Sequence, residues 1–164
     1  MTYDINQNIH PMANTYSQIY LQIVFAVKYR ENVLHKSWRD DVFKCMAGII
    51  KNKGHKPIII NGVADHVHIL VGFVPSGSIS DLVRDIKNNS SKYINDHNFL
   101  HGKFAWQGGY GVFSYSHSQL GGVCNYISNQ EQHHKKASFR DEYLEFLRKF
   151  DIDFDDRYLF DWLD

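Results

Sequence analysis

The sequence predicts an α+β fold built on a four-stranded antiparallel sheet, and three observations carry that prediction. Four short stretches read as strands, by period-two alternation or by a β-branched composition. Longer stretches between and after them keep helical spacing behind recognisable start signals. The resulting order is β, α, β, β, α, β and then two helices. Split βαβ units in that order form a ferredoxin-like or RRM-like sheet with both crossover helices on one face. The other face is left for a C-terminal helix that carries Tyr126.

From Gln18 to Lys28, Ile19, Leu21, Ile23, Phe25 and Val27 alternate with Tyr20 and Gln22, as in a half-buried strand. Ser37 with Asp40 three residues on reads as the cap of a helix over Trp38 to Lys53, which Gly54 stops. Pro57 to Val63 and His66 to Phe73 read as a hairpin with Asn61, Gly62 and Asp65 in its connection. Ser78 with Asp81 starts a second helix that ends near His97, and Gly111 to Ser116 is the fourth strand. A third helix is expected to follow Gly121 and Gly122 and to carry Tyr126 and Gln130. A fourth, Phe139 to Phe150, opens with Ser138 and Asp141 as its cap.

With 164 residues, 43% of them hydrophobic, the chain suits one domain. That domain is expected over 16–150, between a flexible leader at 1–15 and an acidic tail at 151–164. No stretch is apolar for long enough to span a membrane, and no signal-peptide pattern opens the chain, so a cytoplasmic protein is expected. Cys45 and Cys124 have no partner at metal or redox spacing and read as buried free thiols. The formal net charge of zero conceals a tail of six aspartates and one arginine, which leaves the body mildly basic. Such a body permits a polyanionic partner without requiring one.

The segment D-H-V-H at 65–68 sets two histidines within a strand. Val67, Ile69, Val71 and Phe73 share the face turned to the helices, so His66 and His68 share the other, roughly 7 Å apart along the strand. Two imidazoles at i and i+2 make half of a metal site. On their own they read equally as surface or hydrogen-bonded histidines. Gln130 would supply a third ligand if its helix crosses the same face, because Tyr126 and Gln130 stand at i and i+4. Open positions on such an ion suit Mg²⁺ or Mn²⁺ with a phosphate substrate. Tyr126 would then attack the phosphate as an oxyanion and become joined to nucleic acid.

These motifs, together with A-W-Q-G-G-Y-G at 105–111 and Y-I-S-N-Q-E-Q-H-H at 126–134, resemble the single-tyrosine HUH transposases of small bacterial insertion sequences and their REP-associated relatives. The resemblance runs from about Tyr16 to Tyr158. It implies that Tyr126 is the nucleophile, that His66, His68 and Gln130 hold the ion, and that cleavage leaves a 5′-phosphotyrosine link and a free 3′-hydroxyl. It also implies a single-stranded DNA substrate with hairpin ends, and a homodimer in which the tyrosine helix can sit over the partner's histidine pair. The paired glycines Gly121 and Gly122 are the expected hinge for that exchange.

Other residues have weaker claims. Tyr110 and Tyr115 are rival nucleophiles, in a glycine loop and in a strand, where packing is the simpler role. Arg84, Lys87 and Lys92 on the second helix suit a DNA backbone, although a solvated helix face explains them equally well. His133 and His134 could be extra ligands, although a solvated or phosphate-touching face with Lys135 and Lys136 is the simpler reading. Trp106 and Tyr110 could stack on unpaired bases, and Asp65 could orient a histidine. Two further function classes stay open: a catalytically silent RRM-like binder of single-stranded nucleic acid, and a metal hydrolase that uses water as its nucleophile.

Overall fold

The computed structural model describes Thr2 and residues 15–159. The expected leader, apart from Thr2 and Thr15, and the last five residues of the expected tail lie outside the described residues. The four strands are β1 (Tyr20–Ala26), β2 (Lys56–Gly62), β3 (His66–Gly72) and β4 (Gly111–Tyr115), in the order β2-β3-β1-β4 with every pair antiparallel. Helices α1 (Lys36–Asn52) and α2 (Ile79–Asp96) are the two crossovers. They are followed by α3 (Leu120–Ser128), α4 (Gln130–His133), α5 (Phe139–Lys149) and α6 (Asp156–Leu159). This is the expected ferredoxin-like arrangement.

The main core lies between the sheet and the crossover helices. Leu21, Ile23 and Phe25 of β1 meet Val67, Ile69 and Val71 of β3, with Phe43 and Met46 of α1 and Leu82 and Ile86 of α2 packed above them. Alternation on the strands therefore assigned the faces correctly. The opposite face is covered by two smaller apolar clusters. Leu120, Val123 and Ile127 of α3 pack on Ile58, Ile59 and Leu70. Phe139, Phe146 and Leu147 of α5 pack on Val24, Ala26 and Phe113. Both helices bury a stripe because apolar side chains three and four residues apart share one side.

Ser78 and Ser138 cap α2 and α5 by accepting from the backbone N–H of Asp81 and Asp141. Ser37 does not cap α1: the helix begins earlier, after His35, and Ser37 sits inside its first turn. Asn61 and Gly62 likewise belong to β2, and residues 63–65 alone join the hairpin. Gly62 pairs with Val67, and a Cβ there would lie 2.3 Å from the His66 carbonyl oxygen, so this close approach requires glycine. Cys45 and Cys124 are free thiols, half-buried instead of fully buried. Among the described residues, no helix is long and apolar enough to cross a membrane.

Ile23 has no solvent exposure and stands at the centre of the main core. Ile23→Ala is expected to destabilise the protein by about 2–5 kcal/mol, read as a lower midpoint in urea denaturation.

Candidate metal and tyrosine site

Because the face opposite α1 and α2 is covered, His66 and His68 are fully buried. They lie at the seam between the α3 and α5 clusters, and Tyr126 packs against both. A polar group enclosed by apolar clusters needs partners, and each histidine has them.

His66 places Nδ1 2.7 Å from Asp65 Oδ1, so the carboxylate fixes the ring and leaves Nε2 facing inward. His68 is fixed from below. Tyr115 donates its hydroxyl to Gln22 Oε1 at 2.8 Å, which turns the Gln22 amide nitrogen toward His68 Nδ1, also at 2.8 Å. His68 Nε2 then faces inward as well. Gln22 is itself fully buried on β1.

Both inward nitrogens meet Glu142 of α5. Its Oε1 lies 3.3 Å from His66 Nε2 and 2.9 Å from His68 Nε2. Its Oε2 lies 3.2 Å from Nε2 of both His133 and His134, and accepts the hydroxyl of Tyr126. One ligand atom from each of His66, His68, His134 and Glu142 falls within 4.8 Å of the others, a group able to hold a metal ion. His134 Nε2 is buried and, despite its distance from Glu142, has no aligned hydrogen bond. An imidazole nitrogen close to a carboxylate but poorly aligned for a hydrogen bond, grouped with three other ligand atoms, fits a coordination position.

The titration shifts follow from this enclosure. Burial pulls His66 down, but hydrogen bonds to Asp65 and Glu142 outweigh it and hold the imidazole above its ordinary value. Burial dominates at His68 and lowers it, helped by the charges of His66 and His134. Burial works against the Glu142 carboxylate, yet the close imidazoles of His134, His66 and His68 hold it far below the usual carboxylate range. Burial raises the Tyr126 phenol well above its ordinary value, and the charge of Glu142 raises it further. In this arrangement the phenol keeps its proton.

Gln130 is present, though in a different role from a simple continuation of the tyrosine helix. The chain leaves helical geometry at Asn129 and Gln130 opens α4. Its Oε1 reaches to 3.4 Å of His66 Nε2 and its amide nitrogen donates to the Tyr126 carbonyl at 3.3 Å. Two residues, Asn61 and Glu131, hold this break in place. Asn61 donates to the carbonyls of Ile127 and Ser128 at 2.9 and 3.2 Å, and Glu131 pairs with Lys36 and Arg39 of α1.

Several sequence expectations are corrected. His133 and His134 belong to the Glu142 cluster and not to a solvated face. Trp106 is buried, with its indole N–H donated to Ser90 at 2.9 Å, so it is not a stacking platform. Lys87 donates to the carbonyls of Gln107 and Gly109 and sits over the Phe25 ring, where burial lowers its pKa to about 8. Arg84 and Lys92 are exposed but pair with acids of their own helix, Asp81 and Asp85 for the one and Asp96 for the other. Gly121 and Gly122 lie within the first turn of α3, not before it. Tyr110 is the exposed aromatic of its loop, and Tyr115 is held by Gln22 with burial raising its phenol to about 12.

Glu142 is the residue that sequence reasoning missed. Its signal was available: a carboxylate inside the stripe Phe139, Glu142, Phe146 must face what that stripe faces.

Residues 15–130 match the family of IS200-like transposases. The ISDra2 transposase TnpA of Deinococcus radiodurans is 27% identical over 118 residues, which cover 69% of this chain and 84% of that protein. The crystal structure of a Deinococcus radiodurans R1 protein assigned as a transposase shares the fold, with a TM-score of 0.59, 24% identity, and coverage of 73% of this chain and 96% of the other. So does a REP-associated tyrosine transposase solved bound to a REP hairpin, with a TM-score of 0.57, 12% identity, and coverage of 76% and 73%.

Three imidazoles and one carboxylate suit Mn²⁺ better than Mg²⁺, since nitrogen ligands favour the softer ion. In isothermal calorimetry, Mn²⁺ affinity is expected to be lost in His68→Ala and to fall at least about tenfold in Glu142→Gln. Unchanged affinity in Glu142→Gln would remove the carboxylate from the ligand set.

Proposed function

The chain belongs to the IS200-like transposase family, and from that premise we propose that it cleaves and rejoins single-stranded DNA through a covalent 5′-phosphotyrosine intermediate formed on Tyr126. The observation that carries this reading is the position of the Tyr126 hydroxyl. It reaches the carboxylate that also meets His66, His68 and His134. A cavity of about 430 Å³ opens beside it, lined by Tyr126, His133 and Glu142 and by Gln119, Gly122 and Lys149. That space supports access of a strand to the phenol.

The residues divide the work as follows. His66, His68, His134 and Glu142 would hold a divalent cation, with Gln130 as a further oxygen donor beside His66. When bound, that cation supplies positive charge at the scissile phosphate and offsets the charge that develops there. Tyr126 Oη forms the bond to phosphorus as the bond from phosphorus to the 3′ oxygen breaks. The phenol proton would leave to water in the adjoining cavity, Glu142 only orienting the hydroxyl as a hydrogen-bond acceptor, and the departing 3′ oxygen would take a proton from water. Because the new ester keeps the energy of the broken one, rejoining runs the same path backward.

Asp65 and Gln22 act through the histidines they orient. For His68 Nε2 to give a lone pair to the ion, its proton must move to Nδ1, and the Gln22 amide and Tyr115 hydroxyl must reverse to accept it. Both groups can do so, because each carries a donor and an acceptor.

Hairpin ends as substrate are supported by the solved REP-associated relative with its hairpin. A homodimer belongs to the same proposal. In the folded protomer the Tyr126 ring packs edge-on near its own His68, so exchange between protomers would require α3 to move. A Cβ built on Gly121 or Gly122 meets nothing within 4 Å, so both can be replaced without a clash.

The first test is a labelled single-stranded oligonucleotide from the ends of the DNA segment that encodes the protein, incubated with Mn²⁺ and run on a denaturing protein gel. A DNA-linked band that disappears in Tyr126→Phe is the expected result. Cleavage that survives Tyr126→Phe would favour a hydrolase with water as the nucleophile, and binding without any band would favour a silent nucleic-acid binder. Replacing Gly121 and Gly122 together by alanine is expected to stiffen α3 and depress strand transfer while the DNA-linked band persists. Unchanged strand transfer would exclude the hinge.

A further inference from the structure

Among the described residues, four non-glycine residues take a positive φ: Tyr29, Arg30, Asn98 and Asp151. Two of them are ordinary. Asn98 and Asp151 follow the C-terminal caps of α2 and α5, where a left-handed residue commonly closes a helix, and Asn and Asp tolerate that conformation. Tyr29 and Arg30 have neither explanation. They stand side by side, at φ 57° and 52°, in the turn that leaves β1. A bulky side chain is strained in that region, whereas glycine is not, and such strain gathers at sites where the side chains are used. We propose that this turn is a stacking platform for one unpaired base of the bound strand, with the base on the Tyr29 ring and Lys28 on an adjoining phosphate; the proposal rests on the DNA-strand reading above.

The turn is fixed from both sides. Val27 N–H donates to the Asp65 carbonyl at 2.8 Å, and Lys28 N–H donates to the Ala105 carbonyl at 3.0 Å. Arg30 N–H closes back on the Val27 carbonyl at 2.8 Å, and Leu34 N–H reaches the Ala64 carbonyl at 2.9 Å. These bonds hold the strained pair between the hairpin connection and the segment that precedes Trp106. A base that stacks there has no loop to order.

The side chains suit a nucleotide. Tyr29 is 43% exposed. Lys28 is exposed as well, with its Nζ 5.3 Å from the centroid of the Tyr29 ring. An open aromatic face stacks on any base, and an ammonium group beside it attracts the phosphate that follows. Trp106, the aromatic that the sequence suggested for stacking, is buried and bonded to Ser90, but Tyr29 stands where a strand can reach it. Tyr16, Tyr110 and Tyr158 are also exposed, yet none of them takes a positive φ.

Position links the turn to the metal and tyrosine site. Ala26 is the register partner of His66, and Tyr29 follows Ala26 by three residues, at most about 11 Å along the chain. Asp65, whose carbonyl accepts the Val27 N–H, is the residue that fixes the His66 ring. A base on Tyr29 therefore lies at the histidine end of the sheet, in the same stretch of strand as the scissile phosphate.

The experiment uses the full chain and single-stranded oligonucleotides tiled across both ends of the encoding DNA segment. Each carries one 5-iodouracil, which on irradiation crosslinks to an aromatic ring stacked on it. Crosslinks to Tyr29, mapped by mass spectrometry and confined to one short stretch of the strand, are the expected result. In anisotropy titrations Tyr29→Ala is expected to bind about tenfold more weakly, and Tyr29→Phe to bind like the intact protein. Lys28→Gln is expected to flatten the slope of log affinity against log salt by about 0.7. Tyr29→Gly separates use from strain and guards against a misfolded alanine variant. Its midpoint in urea should rise, because glycine adopts the left-handed conformation freely, while its affinity falls as in Tyr29→Ala. Tiles that form the Tyr126 adduct but crosslink only elsewhere overturn the platform alone. An affinity unchanged in Tyr29→Gly overturns it too. If no tile binds or forms an adduct, the platform and the DNA-strand reading fall together.

Discussion

Everything on the covered face of the sheet is arranged around one carboxylate. Glu142 enters the seam between α3 and α5 and meets four imidazoles and a phenol there. An ionised carboxylate without such partners would be prohibitively costly in an apolar enclosure. The cost is offset only if every partner arrives together. His66 and His68 must come from β3, Tyr126 from α3, His133 and His134 from the end of α4, and the carboxylate from α5. Tertiary packing of four separate elements is therefore a condition for the charge, and the charge in turn fixes how those elements meet.

The partners pull the two key groups in opposite directions. The histidines hold Glu142 ionised, while burial and the same ionised Glu142 hold Tyr126 protonated. A phenol kept neutral beside an ionised carboxylate is a poor nucleophile unless positive charge is added nearby. The histidines that face the carboxylate are also the groups that can give their lone pairs to such a charge. Resting stability and readiness for chemistry thus draw on one set of atoms.

Much of this was legible in the sequence. The alternation in Leu21, Ile23 and Phe25 and in Val67, Ile69 and Val71 gave the sheet faces, and from them the shared direction of His66 and His68. Ser78 and Ser138 marked two helix starts because their hydroxyls do cap. Ser37 misled because α1 starts on backbone bonds alone, after His35, and a serine in a first turn looks the same in sequence. The break at Asn129 left no local mark; it is imposed by Asn61 and by the Lys36–Glu131–Arg39 group, contacts that span more than sixty residues. Trp106 and Lys87 were misassigned for a related reason. An aromatic and a lysine near a glycine loop suit a ligand as well as they suit the loop itself, and only the partners Ser90, Gln107 and Gly109 decide between them.

The chain order of the two layers bears on synthesis. All four strands and both crossover helices are complete by Tyr115, whereas every group that covers the histidine pair is made later. Domains acquire structure as the chain emerges, at roughly 5–20 residues per second. A nascent chain that has reached the end of β4 can close its main core while His66 and His68 still face water. The histidine pair is thus assembled and open before Glu142 is made, so the polar centre of the covered face forms last, on a core that has already closed.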